Sequence, residues 1–228
     1  MSSVRFELYK PAAQHRESHG RAPAWLHEIR NMRSNVLYAN GRRPLFGPGG
    51  HHFGDPCPRD DHSFHVTVRV GERLVGCLRG LPLSNGKTNA LLDDVMGQGK
   101  LDRSLAALQV KRDHCIEVSR FILDSEFRAS NIARHLVASI GAVGWHLGVG
   151  MIVMGMGTCD YQDRFIQRFG GKPLPYSDLV PAPDFDDHIR PMYAWASGTG
   201  LGVFSLAQQM HDHFFGKGQT VPPLAKAV

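Results

Sequence analysis

Three residues in one short run are candidates for acting together chemically. Glu117, Ser119 and Arg120 lie within Ile116-Glu117-Val118-Ser119-Arg120-Phe121-Ile122-Leu123, an otherwise apolar stretch that alternates as a strand does. A charged side chain inside an apolar strand is costly unless it has a partner or a task. Glu117 is the candidate general base, and Ser119 and Arg120 complete the candidate catalytic set. Period-two alternation predicts Glu117 and Ser119 on one face with Cys115 and Phe121, and Arg120 on the other. Shortly after comes Arg128-Ala129-Ser130-Asn131-Ile132-Ala133-Arg134, a basic, small-residue turn opening an amphipathic helix. Backbone N–H groups at a positive helix end suit a phosphate or pyrophosphate, so Arg128, Ser130, Asn131, Ile132 and Ala133 are candidate ligands. The plainer reading is an ordinary helix start with Ser130 as its cap.

The elements that must position these residues follow from patterning. Residues 24–38 read as a helix, and residues 39–61, rich in Gly, Pro, His and Arg, as a long loop. Phe64, Val66, Val68 and Val70 alternate with His65, Thr67 and Arg69. A strand over 64–70, a turn at Gly71-Glu72 and a returning strand over 73–81 make a hairpin. Short helical or irregular segments are expected at 91–96 and 105–110, and a third strand at 114–123. The longest helix falls at 130–147, a buried strand at 151–156, and a helix at 160–169 stopped by Gly170-Gly171. A last strand over 189–196 and a helix over 201–215 complete the order. The fold class is α/β (α+β), a single domain over residues 1–215 with a central mixed sheet, an N-terminal loop and a C-terminal helix, followed by a frayed tail over 216–228.

The chain has 228 residues, 42% hydrophobic and 21% charged, which suits a globular domain with a proper core. No apolar run reaches membrane-spanning length, the first residues lack a signal core, and the four scattered cysteines read as reduced thiols, so a cytoplasmic location is expected. A net charge of +5 favours an acidic partner. The thirteen histidines include His51-His52, His62 with His65, and His211-Asp212-His213, none at zinc-hydrolase spacing, so no metal is expected.

The order of elements resembles the GNAT N-acyltransferases, and more narrowly the acyl-homoserine-lactone (autoinducer) synthases and the N-acyl amino acid synthases. Glu117-Val118-Ser119-Arg120-Phe121 is similar to that family's Glu-x-Ser/Thr-Arg-Phe pattern. Val75-Gly76-Cys77-Leu78-Arg79-Gly80-Leu81-Pro82-Leu83 and Leu91-Leu92-Asp93-Asp94-Val95-Met96 are similar to two further segments. The resemblance spans about residues 32–169. It implies that Arg79, on the hairpin, and Arg33 and Asp61 contribute to acceptor binding, with Asp55 and Asp60 or Asp61 standing for paired acidic residues. It also implies that residues 128–133 form a pyrophosphate loop in which Asn131 replaces a glycine, a type that tolerates positive φ. Tyr161 lies near the thioester sulfur in that scheme. The methionines Met151, Met154 and Met156 are candidates to line an acyl slot.

The implied activity is transfer of a fatty acyl group from an acyl-phosphopantetheine thioester, on acyl carrier protein or coenzyme A, to the amine of an amino acid or similar small acceptor, with no tightly bound cofactor. The rivals are an acyl-homoserine-lactone synthase using S-adenosylmethionine and a non-catalytic binding module. Arg42-Arg43 is the basic cluster that speaks for the latter, but no interleaving of basic and aromatic residues supports nucleic-acid binding.

Overall fold

The computed structural model describes residues 3–12, 22–39, 41, 55, 57–86, 89–128, 130–183, 187–196 and 203–216. His51-His52, Arg42-Arg43, Ala129 and the tail over 217–228 lie outside them. In chain order the elements are β1 (Val4–Tyr9), α1 (Ala24–Ala39), β2 (Phe64–Val70), β3 (Arg73–Pro82), α2 (Leu91–Met96), α3 (Lys100–Ala107), β4 (Cys115–Leu123), α4 (Ile132–His146), β5 (Met151–Gly157), α5 (Gln162–Gln167), β6 (Lys172–Pro173), β7 (Val180–Ala182), β8 (Asp187–Trp195) and α6 (Val203–Phe215).

The strands form one eight-stranded sheet in the order β1-β2-β3-β4-β5-β8-β6, with β7 also on β8. Every pairing is antiparallel except β4 with β5. The expected hairpin is present, with Phe64 opposite Gly80 and Val70 opposite Arg73. Two expectations shift: the helix placed at 105–110 runs over Lys100–Ala107, and the sequence reading assigns no element to the edge strand β1 or to the short β6 and β7.

Each side of the sheet carries its own layer. Val66, Val68, Leu78, Ile116, Val118, Ile152 and Met154 share one core with Leu136, Ile140, Val143 and Trp145 of α4 and Ala207 and Met210 of α6. On the other side, Ile29, Met32 and Leu37 of α1 pack on Cys77 and Ile122, while Leu92, Met96, Leu101 and Leu105 of α2 and α3 pack on Leu81, Cys115, Met151 and Val153. Met151 therefore faces away from Met154 and Met156. The three methionines cannot line one slot, because strand alternation sends 151 to the opposite face from 154 and 156.

The bend that shapes the site is in β4. Ile122 pairs with Cys77 and Ser119 with Arg79, so Leu78 alone stands opposite both Arg120 and Phe121, a β-bulge. Arg120 sits there at φ +55°, the left-handed region. One extra residue flips every side chain after it. Phe121 packs into the α4 core and Ile122 onto the α1 side, and Arg120 joins the face that carries Ser119. The expected sidedness of Arg120 and Phe121 is thus reversed, since simple alternation has no place for a bulge.

Candidate active site

Beyond Val118 and Met154 the parallel pairing of β4 and β5 stops, although β4 runs on to Leu123 and β5 to Gly157. The two strands part around a cleft of about 470 Å³. Ser119, Arg120 and Phe121 form one wall, Gly155, Met156 and Gly157 the other, and Arg128, Ala133, Asp160 and Tyr161 also line it. A second, apolar cavity of about 50 Å³ lies between the sheet, α4 and α6, and shares Phe121 and Met156 with the cleft. Phe121 stacks on Phe165 with ring centroids 6.0 Å apart.

Behind the Ser119 wall is a buried ionic network. Asp60, fully buried in the short 3-10 helix Pro58–His62, accepts from Arg33 Nη1 at 3.1 Å and Nη2 at 2.7 Å, from Arg79 Nη1 at 2.9 Å and from Arg30 Nε at 3.0 Å. The guanidiniums of Arg33 and Arg79 hold its carboxyl far below the usual carboxylate range, against the upward push of burial. Arg79 Nε donates to Ser119 Oγ at 3.0 Å. The serine's own proton is thereby left to donate. Arg120 is bidentate on buried Asp55, at 2.5 and 3.2 Å, and Asp55 Oδ2 lies 3.5 Å from Arg33 Nε. His65 Nε2 contacts the Asp60 carbonyl at 3.0 Å, and burial lowers that imidazole to about 4, so it is neutral at physiological pH.

The network joins Arg33, Arg79 and the adjacent pair Ser119 and Arg120 from three separate parts of the sequence reading. The central carboxylate is Asp60; Asp61 stands at the edge, 3.9 Å from Arg30 Nη2. Glu117 is placed differently. It is buried, it does not line the cleft, and its carboxylate accepts the N–H groups of Leu91 at 2.8 Å and Leu92 at 2.7 Å, the first turn of α2. Burial raises its pKa, partly opposed by those two bonds. Leu91, held in this way, is itself part of the cleft wall.

At the helix start, Ser130 Oγ accepts from Ile132 N at 3.2 Å and donates to the Phe127 carbonyl. Asn131 sits at φ −69°, ψ −6°, ordinary right-handed backbone. The left-handed turn expected of it does not form, because a residue already in the helical region needs no glycine substitute. Of the described residues in 128–133, Arg128 and Ala133 line the cleft. Tyr161, at φ +56° and 60% exposed, stands at its rim with Arg164 over its ring.

The sequence reading missed the far wall. Asp187 accepts from the backbone N–H groups of Thr158 (3.0 Å), Cys159 (2.9 Å) and His188 (2.7 Å), which hold it at about 2 and pin the turn after β5. A Cβ at Gly157 would stand 2.4 Å from Asp187 Oδ2, so only glycine admits this approach. The Gly155-x-Gly157 spacing at a strand end was the legible hint. No group of three or more metal-ligating side chains and no helix long and apolar enough to cross a membrane occurs among the described residues.

A parallel pair of strands that splays around a cleft, with a helix start and a bulge beside it, decides the comparison. The fold is that of the GNAT acyltransferases. The Acetyltransferase (GNAT) domain family matches residues 50–138. The structure of TofI in a ternary complex with an inhibitor and MTA superposes with a TM-score of 0.63 at 16% identity, over 90% of this chain and 99% of that one. BjaI, a CoA-dependent acyl-homoserine lactone synthase with SAM and isopentyl-CoA, gives 0.62 at 15%, over 99% and 97%. FeeM, an N-acyl amino acid synthase from uncultured soil microbes, gives 0.59 at 13%, over 86% and 92%. No curated protein matches the sequence.

Proposed function

We propose that the chain is an N-acyltransferase that moves a fatty acyl group from a phosphopantetheine thioester, on acyl carrier protein or coenzyme A, to the amine of an amino acid or similar small carboxylate-bearing acceptor. The observation that carries this reading is the cleft between β4 and β5, polar and arginine-backed on one wall and bordered by a separate apolar cavity. Such transfer needs no covalent enzyme intermediate: the thioester must be held, its carbonyl polarised, and the amine brought within bonding distance. The strand edge left unpaired past Val118 suits the amide groups of the pantetheine arm. Ser119, whose oxygen is engaged by Arg79, is positioned to donate its proton to a carbonyl in the cleft. Arg120 supplies positive charge there, with its fork fixed by Asp55.

Arg33 and Arg79 act in this reading from behind, as the rigid support of the acceptor side, with Asp60 as their common anchor and Asp61 at its rim. Glu117 is a positioning residue that seats Leu91 against the cleft. Arg128 and Ala133 would face a pyrophosphate or phosphate group in the cleft, on the helix start formed with Ser130, Asn131 and Ile132, with Tyr161 at the rim. An acidic carrier protein fits the chain's positive balance, and its docking should weaken as salt rises.

Mass spectrometry of products formed from acyl carrier protein and coenzyme A donors of several chain lengths, with pooled amino acids and S-adenosylmethionine, tests the reading. An N-acyl amino acid is the expected product. A homoserine lactone moves the protein to the autoinducer class, and no product from any donor removes the enzymatic reading.

A further inference from the structure

The cleft differs on its two sides. Past Val118 and Met154 the strands have parted, so residues of both sheet faces line it. Toward α4 its wall is Phe121 and Phe165, stacked on each other, with Met156 and Ala133. Toward α1 and α2 the wall is Ser119 and Arg120 together with Val36, Leu37, Leu91, Ile122 and Ile189. Gly155 adds no side chain between them. A Cβ there would stand 2.9 Å from Ile189 Cγ2 and 3.6 Å from Leu92 Cδ2, which also places Ile189 on the α2 side. Asp55 takes the Nε and Nη2 side of Arg120, which leaves Nη1 outside that pair on a residue that lines the cleft.

A small molecule held on this side meets one guanidinium set among aliphatic side chains. A carboxylate suits the guanidinium. The aliphatic wall favours an uncharged group, because a charged one would lose its water without gaining a partner. Cations are poorly served anywhere in the cleft. Both carboxylates that line it among the described residues are engaged, Asp160 with Arg128 at 3.7 Å and Asp187 with the N–H groups of Thr158, Cys159 and His188. The aromatic faces are engaged as well, since Phe121 and Phe165 stack on each other and Tyr161 carries Arg164 over its ring. We propose that the acceptor is an amino acid with a bulky, uncharged, apolar side chain. Its carboxylate lies on Arg120, and its side chain lies among Val36, Leu37, Leu91, Ile122 and Ile189. Basic amino acids and S-adenosylmethionine, a sulfonium cation, are disfavoured by the same walls. This assignment rests on the acyl transfer proposed above.

The test is a competition among the common amino acids, leucinamide and S-adenosylmethionine at equal concentration, read by mass spectrometry with both kinds of donor. Product ratios in such a mixture report ratios of kcat/KM. Products of leucine, isoleucine, methionine and phenylalanine should exceed those of serine, aspartate, lysine and S-adenosylmethionine by at least about tenfold. Polar or charged acceptors used equally well overturn the assignment and leave acyl transfer standing. Leucine should exceed leucinamide by at least about tenfold, the worth of a hydrogen bond to a charged group. Equal use overturns the role given to Arg120. In Ile189→Ala and in Val36→Ala the leucine-to-serine ratio should fall at least about fourfold, the worth of one buried methylene. The second change favours helix α1, so it still reports if the first variant fails to fold. A ratio unchanged in every folded variant overturns the pocket. If no acceptor is acylated, the transfer reading fails, and NMR saturation transfer from the protein to leucine but not to serine or lysine still decides the pocket. Its absence overturns the pocket too.

Discussion

The two faces of β4 solve the same problem of filling space in opposite ways. Toward α1, the strand presents Ser119 and Arg120 to a buried network whose distances are set by bidentate ion pairs. Toward α4 and α6, it presents Val118 and Phe121 to apolar side chains around an unfilled volume of about 50 Å³. Ion pairs in a water-poor setting have few acceptable geometries, whereas aliphatic contacts tolerate small shifts. A reaction that must fix polar groups to a fraction of an ångström while accepting a flexible chain is served by one face of each kind. The bulge at Arg120 allows one strand to supply both.

The sharpest way to break the comparison is to remove the hub of the polar face. Asp60→Asn leaves Arg33 and Arg79 buried without their shared carboxylate, and removing one partner from such a pair costs about 3–5 kcal/mol. Denaturant unfolding measures it, and a loss below about 1 kcal/mol, the scale of an exposed ion pair, would contradict the importance given to burial. The pH dependence has a definite sign. A carboxylate held below its unfolded value contributes stability that is present above about pH 4 and lost as pH falls through the folded value. Asp60→Asn should therefore flatten the acid limb of the stability curve.

Glu117 sharpens the contrast, since it is a buried carboxylate with no guanidinium bonded to it. Its pKa is raised, so its contribution runs the other way: full below about pH 4, its unfolded value, and lost as pH rises through the folded value. In Glu117→Gln the amide oxygen keeps one of the two N–H bonds from α2, and the amide N–H₂ meets the other donor, leaving it unsatisfied at a cost of about 1–3 kcal/mol. If Glu117 positions Leu91, the variant weakens α2 and raises KM while the pH profile of kcat keeps its shape. If Glu117 takes the proton from the amine, the rise of kcat with pH disappears instead.

Much of this arrangement was legible before the fold was known, and the failures share a cause. Strands β2 to β5 and helices α1 and α4 follow from local periodicity, and the Glu117-to-Phe121 pattern located the critical strand. What escaped depended on neighbours distant in sequence. A bulge is visible only as a mismatch with a partner, here Leu78 against Arg120 and Phe121, so alternation alone put both residues on the wrong faces. Edge strand β1 carries a fair alternation in Val4, Phe6 and Leu8, but its pairing with β2 joins residues some sixty positions apart. Asp60 and Asp61 are equivalent as sequence neighbours, and only the short helix beginning at Pro58 turns one inward to Arg33 and Arg79.

The smallest effect tests the apolar face. Gly141 lies on the buried side of α4 and lines the small cavity, and a Cβ built there would stand 3.6 Å from the Ala207 Cβ, an ordinary contact. Gly141→Ala is therefore free of a clash, and removing a glycine from a helix interior should raise stability by about 0.5–1 kcal/mol. If the small cavity receives the end of the acyl chain, the same methyl group takes space from it. A misfit of one methylene in an apolar pocket is worth about 1–3 kcal/mol, so the kcat/KM ratio of longer to shorter donors should fall by roughly tenfold or more. Stability that rises while the chain-length profile stays unchanged would show the cavity to be a packing gap. The acyl chain would then have to lie along the cleft itself, and the division of labour between the two faces of β4 would fail on its apolar side.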